Sequence, residues 1–292
     1  MTRQTPKSAE IRIIGPRQSG KTTYLATLAY FPHKKQMKQL YAGMEITPVG
    51  EDAERLGRMA EDIIMQGNKL AGTFKTNIDY LPFYFFRIKI PSIKGMPPIE
   101  IELNTRDYPG KIFEEIPLPH KQSEVEPFID DLFTANAWMV MLTDWEPGRD
   151  KTLYKPAFKK LCEEIFNKEK INPEIKNLRI AVVMSKCERG ELWPCRLDPE
   201  EDLFRVRLPE TYDFLKTKLS PQRLKFFACS SFGVLSDRIG DFDPRPNRYI
   251  PDDGSISEFN AFLRIPEQWQ PYGLIAPIYW LSTGRTLHDH RL

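Results

Sequence analysis

A glycine-containing octapeptide near the start of the chain constrains the fold more than any other feature. Residues Gly15–Thr22 have the sequence GPRQSGKT, which fits the pattern G-x-x-x-x-G-K-[ST] of a phosphate-binding loop, or P-loop. The apolar residues 11–14 before it predict a short buried strand, and residues 23–30 after it predict a helix. In such a unit the loop N–H groups and the helix N-terminus create positive potential in one concavity. The order of the three segments therefore predicts an α/β fold that binds nucleotide phosphates.

The chemistry of the motif assigns roles within the loop. Lys21 is expected to reach the β- and γ-phosphates, and the Thr22 hydroxyl is expected to ligate Mg²⁺. The Arg17 guanidinium leaves two possibilities open, since it either contacts phosphate oxygens or points into solvent. The candidate nucleotide-binding residues of this segment are Gly15, Ser19, Gly20, Lys21, Thr22 and Thr23.

Composition excludes several other classes of protein. The 292 residues include 42 Lys and Arg against 40 Asp and Glu, and a net charge of +2 argues against nucleic acid as an obligatory partner. No apolar run approaches the roughly 18 residues of a membrane span, and the N-terminus lacks a signal-peptide pattern, so a cytoplasmic location is expected. The four cysteines contain no CxxC pair, which argues against a disulfide or zinc framework.

Alternating apolar runs and helical patterns predict a three-layer α/β sandwich of the P-loop NTPase type, with about six mostly parallel strands. One strand is expected to be antiparallel, because the eight residues 91–98 are too few for a crossover helix. The predicted strands are Glu10–Ile14, Leu81–Ile90, Ile99–Leu103, Ala137–Thr143, Leu178–Met184 and Leu224–Cys229. The predicted helices are Lys21–Tyr30, Glu51–Gln66, Val125–Ala135, Lys151–Glu169, Pro199–Lys218 and Phe259–Leu281.

The chain is expected to form one domain over residues 1–292. Two additions to a minimal fold are predicted: an inserted helical segment near 45–72 and a C-terminal helical extension near 255–285. Residues 111–124 and 236–256 are expected to be irregular, and the aspartates of the second segment lack the spacing of a calcium loop.

A second candidate motif follows the third predicted strand. Asp107-x-x-Gly110 resembles the D-x-x-G motif of GTPases, in which the Asp holds Mg²⁺ through water and the Gly N–H contacts the γ-phosphate. Glycine suits a backbone that approaches the phosphate closely. The alternative is an ordinary turn, since Asp, Pro and Gly all favour turns.

A third candidate motif follows the fifth predicted strand. Ser185–Glu188 resembles the guanine-recognising [NT]-K-x-D motif, with Ser in place of Asn or Thr and Glu in place of Asp. In that motif the Lys stem packs on the base and the carboxylate accepts two hydrogen bonds, so Lys186 and Glu188 are the candidates here. Ser230 and Ser231, after the sixth strand, resemble the S-A-x loop that closes on the base.

The remaining Mg²⁺ ligand of such proteins is a threonine in the first mobile loop. Thr73 and Thr76 both precede the second predicted strand, and the sequence does not choose between them. With Thr22 and Asp107 they complete the candidate metal ligands.

Taken together, the motifs resemble those of the translation-factor-related, Ras-like GTPases, and within them bacterial proteins of the double-GTPase type. The resemblance covers Gly15–Ala26, Asp107–Phe113 and Tyr272–Leu281. It implies GTP or GDP and Mg²⁺ as cofactors, and a protein effector or activating partner in a bacterial regulatory or conflict system. It implies no oligomeric state.

One position departs from the resemblance. After D-x-x-G many GTPases carry a Gln that orients the attacking water, and here the residue is Lys111. A charged Lys cannot accept a proton from water, so hydrolysis is expected to be slow or to depend on Glu114, Glu115 or a partner. The candidate catalytic residues are Lys21, Asp107, Gly110 and Lys111. The favoured function is a slow GTPase switch, and the alternatives are a P-loop ATPase or kinase and a nucleotide-bound scaffold that does not hydrolyse.

Overall fold

A seven-stranded sheet forms the centre of the molecule, with strand order β2-β3-β4-β1-β5-β6-β7. The computed structural model describes residues 7–31, 42–67, 77–93, 96–144, 146–189, 192–238, 241–249, 261–289 and 291–292. β1 pairs in parallel with both β4 and β5, and β3 is antiparallel to both of its neighbours. The strands are β1 Lys7–Ile14, β2 Glu45–Val49, β3 Phe83–Ile90, β4 Ile99–Arg106, β5 Ala137–Leu142, β6 Arg179–Met184 and β7 Leu224–Ala228.

Helices cover both faces of this sheet. The helices are α1 Lys21–Tyr30, α2 Glu51–Gln66, α3 Gly110–Glu115, α4 Gln122–Leu132, α5 Lys155–Glu169, α6 Arg205–Arg207, α7 Pro209–Lys218 and α8 Ala276–Thr283. Two π-helical segments, Asp150–Tyr154 and Pro199–Phe204, run into α5 and α6. Short 3₁₀ turns lie at Ile78–Tyr80, Pro119–Lys121, Pro173–Asn177, Pro194–Leu197 and Pro266–Gln268.

Two apolar cores separate the three layers, as side-chain alternation along the strands requires. Met139 and Met141 of β5 pack in the core beneath α1, α2 and α8. Trp138 and Val140 point to the other face, in the core that α3, α4, α5 and α7 cover. The fold is therefore a three-layer α/β sandwich, as the sequence predicts.

The predicted hairpin is confirmed, and the sheet has one strand more than predicted. β3 and β4 are antiparallel, with Ile90 opposite Ile99. The additional strand β2 lies at the edge of the sheet and pairs with β3, with Pro48 opposite Phe86. An edge strand tolerates proline because the outer side of such a strand needs no ladder donor.

Two regions predicted to be irregular contain regular structure: residues 111–124, and residues 236–238 and 241–249 of the region 236–256, whose remaining residues lie outside the described ones. Within residues 111–124 the chain forms most of α3, a 3₁₀ turn and the start of α4. After β7 the chain forms two small antiparallel pairs, whose strands are β8 Val234–Arg238 with β9 Asp241–Pro246, and β10 Arg248–Tyr249 with β11 Phe262–Leu263.

Three predicted helices differ from the observed ones. Residues 261–275 of the predicted helix Phe259–Leu281 contain no α-helix, only the 3₁₀ turn Pro266–Gln268, and α8 begins at Ala276. Pro266, Pro271 and the left-handed Gly273, with φ 67°, interrupt a helix there. The predicted helix Pro199–Lys218 is broken at Leu208, because the proline that follows disfavours helical backbone in the preceding residue. The predicted helix Val125–Ala135 is displaced toward the N-terminus and occupies Gln122–Leu132.

Candidate nucleotide-binding site

The P-loop connects the carboxyl end of β1 to the first residue of α1. Gln18 adopts a left-handed backbone with φ 60°, and Gly20 follows with φ 83°. Gly15 crosses β5 so closely that a Cβ there would lie 2.1 Å from the Met141 carbonyl oxygen. Only glycine fits at Gly15, so the first residue of the motif is fixed by packing against the sheet.

The Lys21 ammonium group is held inside this loop. Its Nζ donates to the Gly15 carbonyl at 2.9 Å, to the Pro16 carbonyl at 3.0 Å and to Ser19 Oγ at 3.4 Å. Burial lowers the pKa of Lys21 to about 8, and the charges of Asp107 and Glu114 act in the opposite direction. The loop thus presents a buried cation whose charged form a phosphate would stabilise.

Thr22 and Asp107 bring two oxygen ligands together beside Lys21. Thr22 Oγ1 donates to Asp107 Oδ2 at 2.7 Å, and Asp107 follows β4 directly. Burial raises the pKa of the Asp107 carboxyl, while Lys21 and the Thr22 hydroxyl oppose that shift. Hydroxyl and carboxylate oxygens are the ligand types that Mg²⁺ takes, so this pair fits the predicted metal position.

The start of α3 lies directly on the P-loop. A Cβ at Gly110 would lie 2.3 Å from the Arg17 backbone nitrogen, so a side chain cannot be accommodated. Four residues on, Glu114 Oε1 accepts a hydrogen bond from that same Arg17 N–H at 3.0 Å. The D-x-x-G segment and the P-loop therefore form one contact surface.

Charged side chains surround this contact. Arg17 Nε lies 3.7 Å from Glu114 Oε2, and Arg149 Nη1 lies 3.9 Å from Glu114 Oε1. The Arg17 side chain is 60% exposed. Lys111, the residue at the expected Gln position, pairs with Glu115 at 3.3 Å and is half exposed. Sequence reasoning did not find Arg149, which directly precedes the π-helical segment Asp150–Tyr154 and belongs to no motif.

The third motif is joined to the P-loop by a buried hydrogen bond. Ser185 Oγ donates to the Ser19 carbonyl at 2.7 Å, and the Leu142 carbonyl lies 3.1 Å from the same hydroxyl. Lys186 has a left-handed backbone with φ 61°, and a Cβ at Gly20 would lie 4.0 Å from Lys186 Cε. The serine that replaces Asn or Thr thus still fixes this segment against the phosphate loop.

Glu188 lies at the deepest point of this region and is fully buried. Its Oε2 accepts from Ser230 Oγ at 2.6 Å, and Ser230 Oγ also accepts from the Gly233 N–H at 2.7 Å. Glu188 Oε1 has no hydrogen-bond partner among the residues that the structure describes, and Arg248 Nε lies 3.8 Å away. One carboxylate oxygen therefore remains for a further donor.

The segment that was predicted to be helical instead supports the Ser230 loop. Tyr272 exchanges two backbone hydrogen bonds with Ser230, both at 3.0 Å, and its hydroxyl donates to the Cys187 carbonyl at 2.7 Å. Trp269 Nε1 donates to the Ser231 carbonyl at 2.8 Å.

The structure brings most of the predicted site residues to one edge of the sheet. The P-loop lies against both Asp107–Gly110 and Ser185–Glu188, and Ser230 contacts Glu188. Thr73 and Thr76 lie outside the described residues. Within the described ranges no group of three or more His, Cys, Asp or Glu side chains is placed to hold a metal, and none of the helices has the length and apolar character needed to cross a membrane.

The sheet topology, with the P-loop between β1 and α1, is that of a three-layer P-loop α/β fold. Neither the family models nor the curated proteins include a match to this chain. Among solved structures, the chain is similar to the crystal structure of the S. cerevisiae Ski7 GTPase-like domain bound to GTP, with 15% identity and a TM-score of 0.38. That alignment covers 85% of this chain and 46% of the Ski7 chain, so this chain spans less than half the length of the Ski7 chain.

Proposed function

We propose that this protein binds a guanine nucleoside triphosphate with Mg²⁺ and hydrolyses it slowly, as a switch that acts on a protein partner. One observation supports this most: the Ser185–Ser19 hydrogen bond joins a phosphate-binding loop to a buried carboxylate motif at the same edge of the sheet. The segments proposed to bind the phosphates and the base edge are therefore joined to each other directly.

The phosphate half of the proposal uses the P-loop and the residues beside it. The N–H groups of the loop and the Lys21 ammonium would bind the β- and γ-phosphates. Thr22 and Asp107 would hold Mg²⁺, Asp107 through water, and the metal would neutralise charge on the phosphates. The Thr22–Asp107 hydrogen bond of 2.7 Å, which brings a hydroxyl and a carboxylate oxygen together, supports this assignment.

The base half of the proposal uses Glu188. Guanine presents two N–H donors on one edge, and adenine lacks this pair. A buried carboxylate whose Oε1 lacks a hydrogen-bond partner in the described structure gains most from a ligand that supplies donors. The Lys186 stem would pack on the base, and Ser230 would orient the carboxylate through its hydrogen bond to Oε2.

Hydrolysis is proposed to be slow because of the residue at position 111. The Lys111 ammonium pairs with Glu115 and cannot accept a proton from water. Glu114 is the nearer candidate for orienting water, since its carboxylate already lies against the Arg17 N–H of the P-loop. The ion pair between Lys111 and Glu115 also favours the second candidate function, a scaffold that binds the nucleotide without hydrolysing it.

The contact of α3 with the P-loop supports the proposed switch. Gly110 and Glu114 touch the loop directly, so a change in the bound phosphates would change the position of α3 and the surface it presents. The partner, the cytoplasmic location and the bacterial regulatory or conflict setting are proposals that come from the family resemblance.

Single-turnover hydrolysis tests this function. The wild-type protein loaded with GTP and Mg²⁺ should turn over well below the roughly 1 s⁻¹ lower range of kinases. Lys111→Gln should raise the rate, or leave it unchanged if Glu114 positions the water. A fast wild-type enzyme that loses activity on Lys111→Gln would show that Lys111 stabilises the transition state, and complete absence of hydrolysis would favour the scaffold.

A further inference from the structure

Arg248 reaches the guanine-recognition motif from a distant part of the chain. It lies on β10, and its Nε is 3.8 Å from Glu188 Oε1, with the Arg248 side chain 12% exposed. The distance is that of an ion pair and is too long for a hydrogen bond. Arg248 therefore brings a positive charge to the carboxylate oxygen proposed to recognise guanine.

The backbone beside Arg248 is fixed by its neighbour. Asn247 is fully buried, and its N–H donates to the Gly233 carbonyl at 3.0 Å. Its side chain exchanges two hydrogen bonds with the Ile265 backbone, at 2.9 and 2.8 Å. The position of the Arg248 backbone opposite Glu188 is thus built into the fold.

Guanine and an arginine side chain carry similar hydrogen-bond donors. Guanine contains a guanidine unit, with an N–H and an amino group pointing in one direction, and an arginine side chain ends in a guanidinium with parallel N–H donors. Both suit a carboxylate, which accepts two parallel hydrogen bonds. Glu188 Oε2 already accepts a hydrogen bond from Ser230. Oε1 is therefore the atom for which guanine and Arg248 would compete.

The charge of Arg248 also acts on Lys186. The pKa of Lys186 is lowered to about 8, first by burial and next by the charge of Arg248, with Arg189 adding to the shift and Glu188 opposing it. Asp144 in turn acts on Arg189. Arg248 therefore acts on both residues that are proposed to contact the base.

We propose that the Arg248 side chain and a guanine base compete for Glu188 Oε1, so that Arg248 lowers the affinity for guanine nucleotides. The inference rests on the proposed function. Arg248 Nε lies 3.8 Å from Oε1 without donating to it, so a guanine that donates to Oε1 would take over the position that the guanidinium faces, and an adenine nucleotide gains nothing from that exchange. Arg248 thus determines affinity specifically for guanine.

Replacement of the guanidinium tests the competition. Arg248→Met keeps the apolar stem and removes the donors, and GDP should bind this variant about tenfold tighter than wild type by isothermal titration calorimetry, or about 1.4 kcal/mol. ADP affinity should be unchanged. Arg245→Met is the matched control, because Arg245 is 69% exposed on the adjacent strand and pairs with Asp243.

Thermal unfolding supplies a second measurement. Without Arg248, the buried Glu188 carboxylate loses one of the cations near it, so Arg248→Met should unfold at a lower temperature than wild type. GDP then supplies the missing donors, so it should raise the unfolding temperature more in the variant than in wild type. If Arg248→Met does not fold, Arg248→Lys keeps the charge without the parallel donors and should bind GDP more tightly than wild type.

The outcomes separate this inference from the function on which it rests. Unchanged or weaker GDP binding by Arg248→Met, in a wild-type protein that prefers GDP to ADP, would overturn the competition alone and make Arg248 a support for Glu188. No preference for GDP in wild type or in either variant would overturn the proposed guanine recognition and this inference together.

Discussion

Lys21 illustrates how burial adjusts a single residue for binding. The Lys21 ammonium donates hydrogen bonds to the Gly15 and Pro16 carbonyls. Burial nevertheless lowers its pKa to about 8. The residue identity follows from the sequence motif alone. The lowered pKa cannot be predicted from the motif, because it depends on how completely the folded protein excludes water from the ammonium group.

Nucleotide affinity should therefore depend on pH near 8. Phosphate binds the charged form of Lys21, so affinity should decrease as pH rises from 7 to 9, approaching about tenfold per pH unit above 8. Lys21→Arg stays charged over this range and should bind with little pH dependence beyond that of the nucleotide and Lys186. Titrations of both proteins at several pH values measure the difference, and equal slopes would contradict a role for Lys21 in phosphate binding.

The lowered pKa of Lys21 also affects protein stability, but in the opposite direction: nucleotide affinity should decrease as pH rises, whereas the Lys21 contribution to stability increases. The folded protein releases the Lys21 proton near pH 8, whereas the unfolded chain keeps it up to the ordinary value of 10.5. Between these values the unfolded state binds more protons, so the Lys21 contribution to the free energy of unfolding increases with pH.

Among the elements, α3 has the closest relation to function. Residues 111–124 contain two prolines and no clear periodicity, so no helix is predicted there from local pattern. The helix forms where Gly110 packs on Arg17, which is a tertiary contact. Elements whose formation depends on such contacts cannot be predicted from local pattern.

Gly110→Ala tests the contact between α3 and the P-loop. The new Cβ would overlap the Arg17 backbone, so α3 should move away and the Arg17 N–H should lose its bond to Glu114. We expect faster hydrogen exchange at the Arg17 amide and slower hydrolysis in a protein that remains folded.

The matched control for this change is Gly57→Ala in α2. A Cβ at Gly57 meets nothing closer than 3.7 Å, from Pro48 Cγ, and alanine favours helix by about 1 kcal/mol over glycine. Exchange at Arg17 should be unaffected by Gly57→Ala. Normal exchange in Gly110→Ala as well would show that α3 does not depend on this contact.

The edge strand β2 and the C-terminal segment show the limits of prediction from the sequence. β2 was missed because five residues with a proline give little strand signal, and its pairing with β3 decides its conformation. The C-terminal segment was predicted as one long helix, although Pro266 and Pro271 prevent it. Strongly periodic elements in the middle of the chain, such as α2 and β6, were predicted with their bounds or nearly so.

At the scale of the whole molecule, parallel strands bring distant motifs together. The P-loop, Asp107, Ser185 and Ser230 each follow the carboxyl end of β1, β4, β6 or β7, and these ends meet at one edge of the sheet, where ligands bind in open α/β folds. Sequence order and strand pattern suffice to predict this convergence. Arg248 could not be found this way, because only tertiary packing of β10 brings it to Glu188.

The central claim is that this edge of the sheet binds guanine nucleotides through Lys21 and Glu188. Calorimetric titration of GTP and ATP into wild type and Glu188→Ala, with folding checked by circular dichroism, tests it most directly. Wild type should bind GTP more tightly than ATP, and Glu188→Ala should lose at least about tenfold in GTP affinity, since an unmade buried hydrogen bond costs about 1–3 kcal/mol. ATP affinity should change little in the variant. Equal binding of the two nucleotides by wild type, or a preference for ATP, would show that Ser185–Glu188 does not recognise guanine.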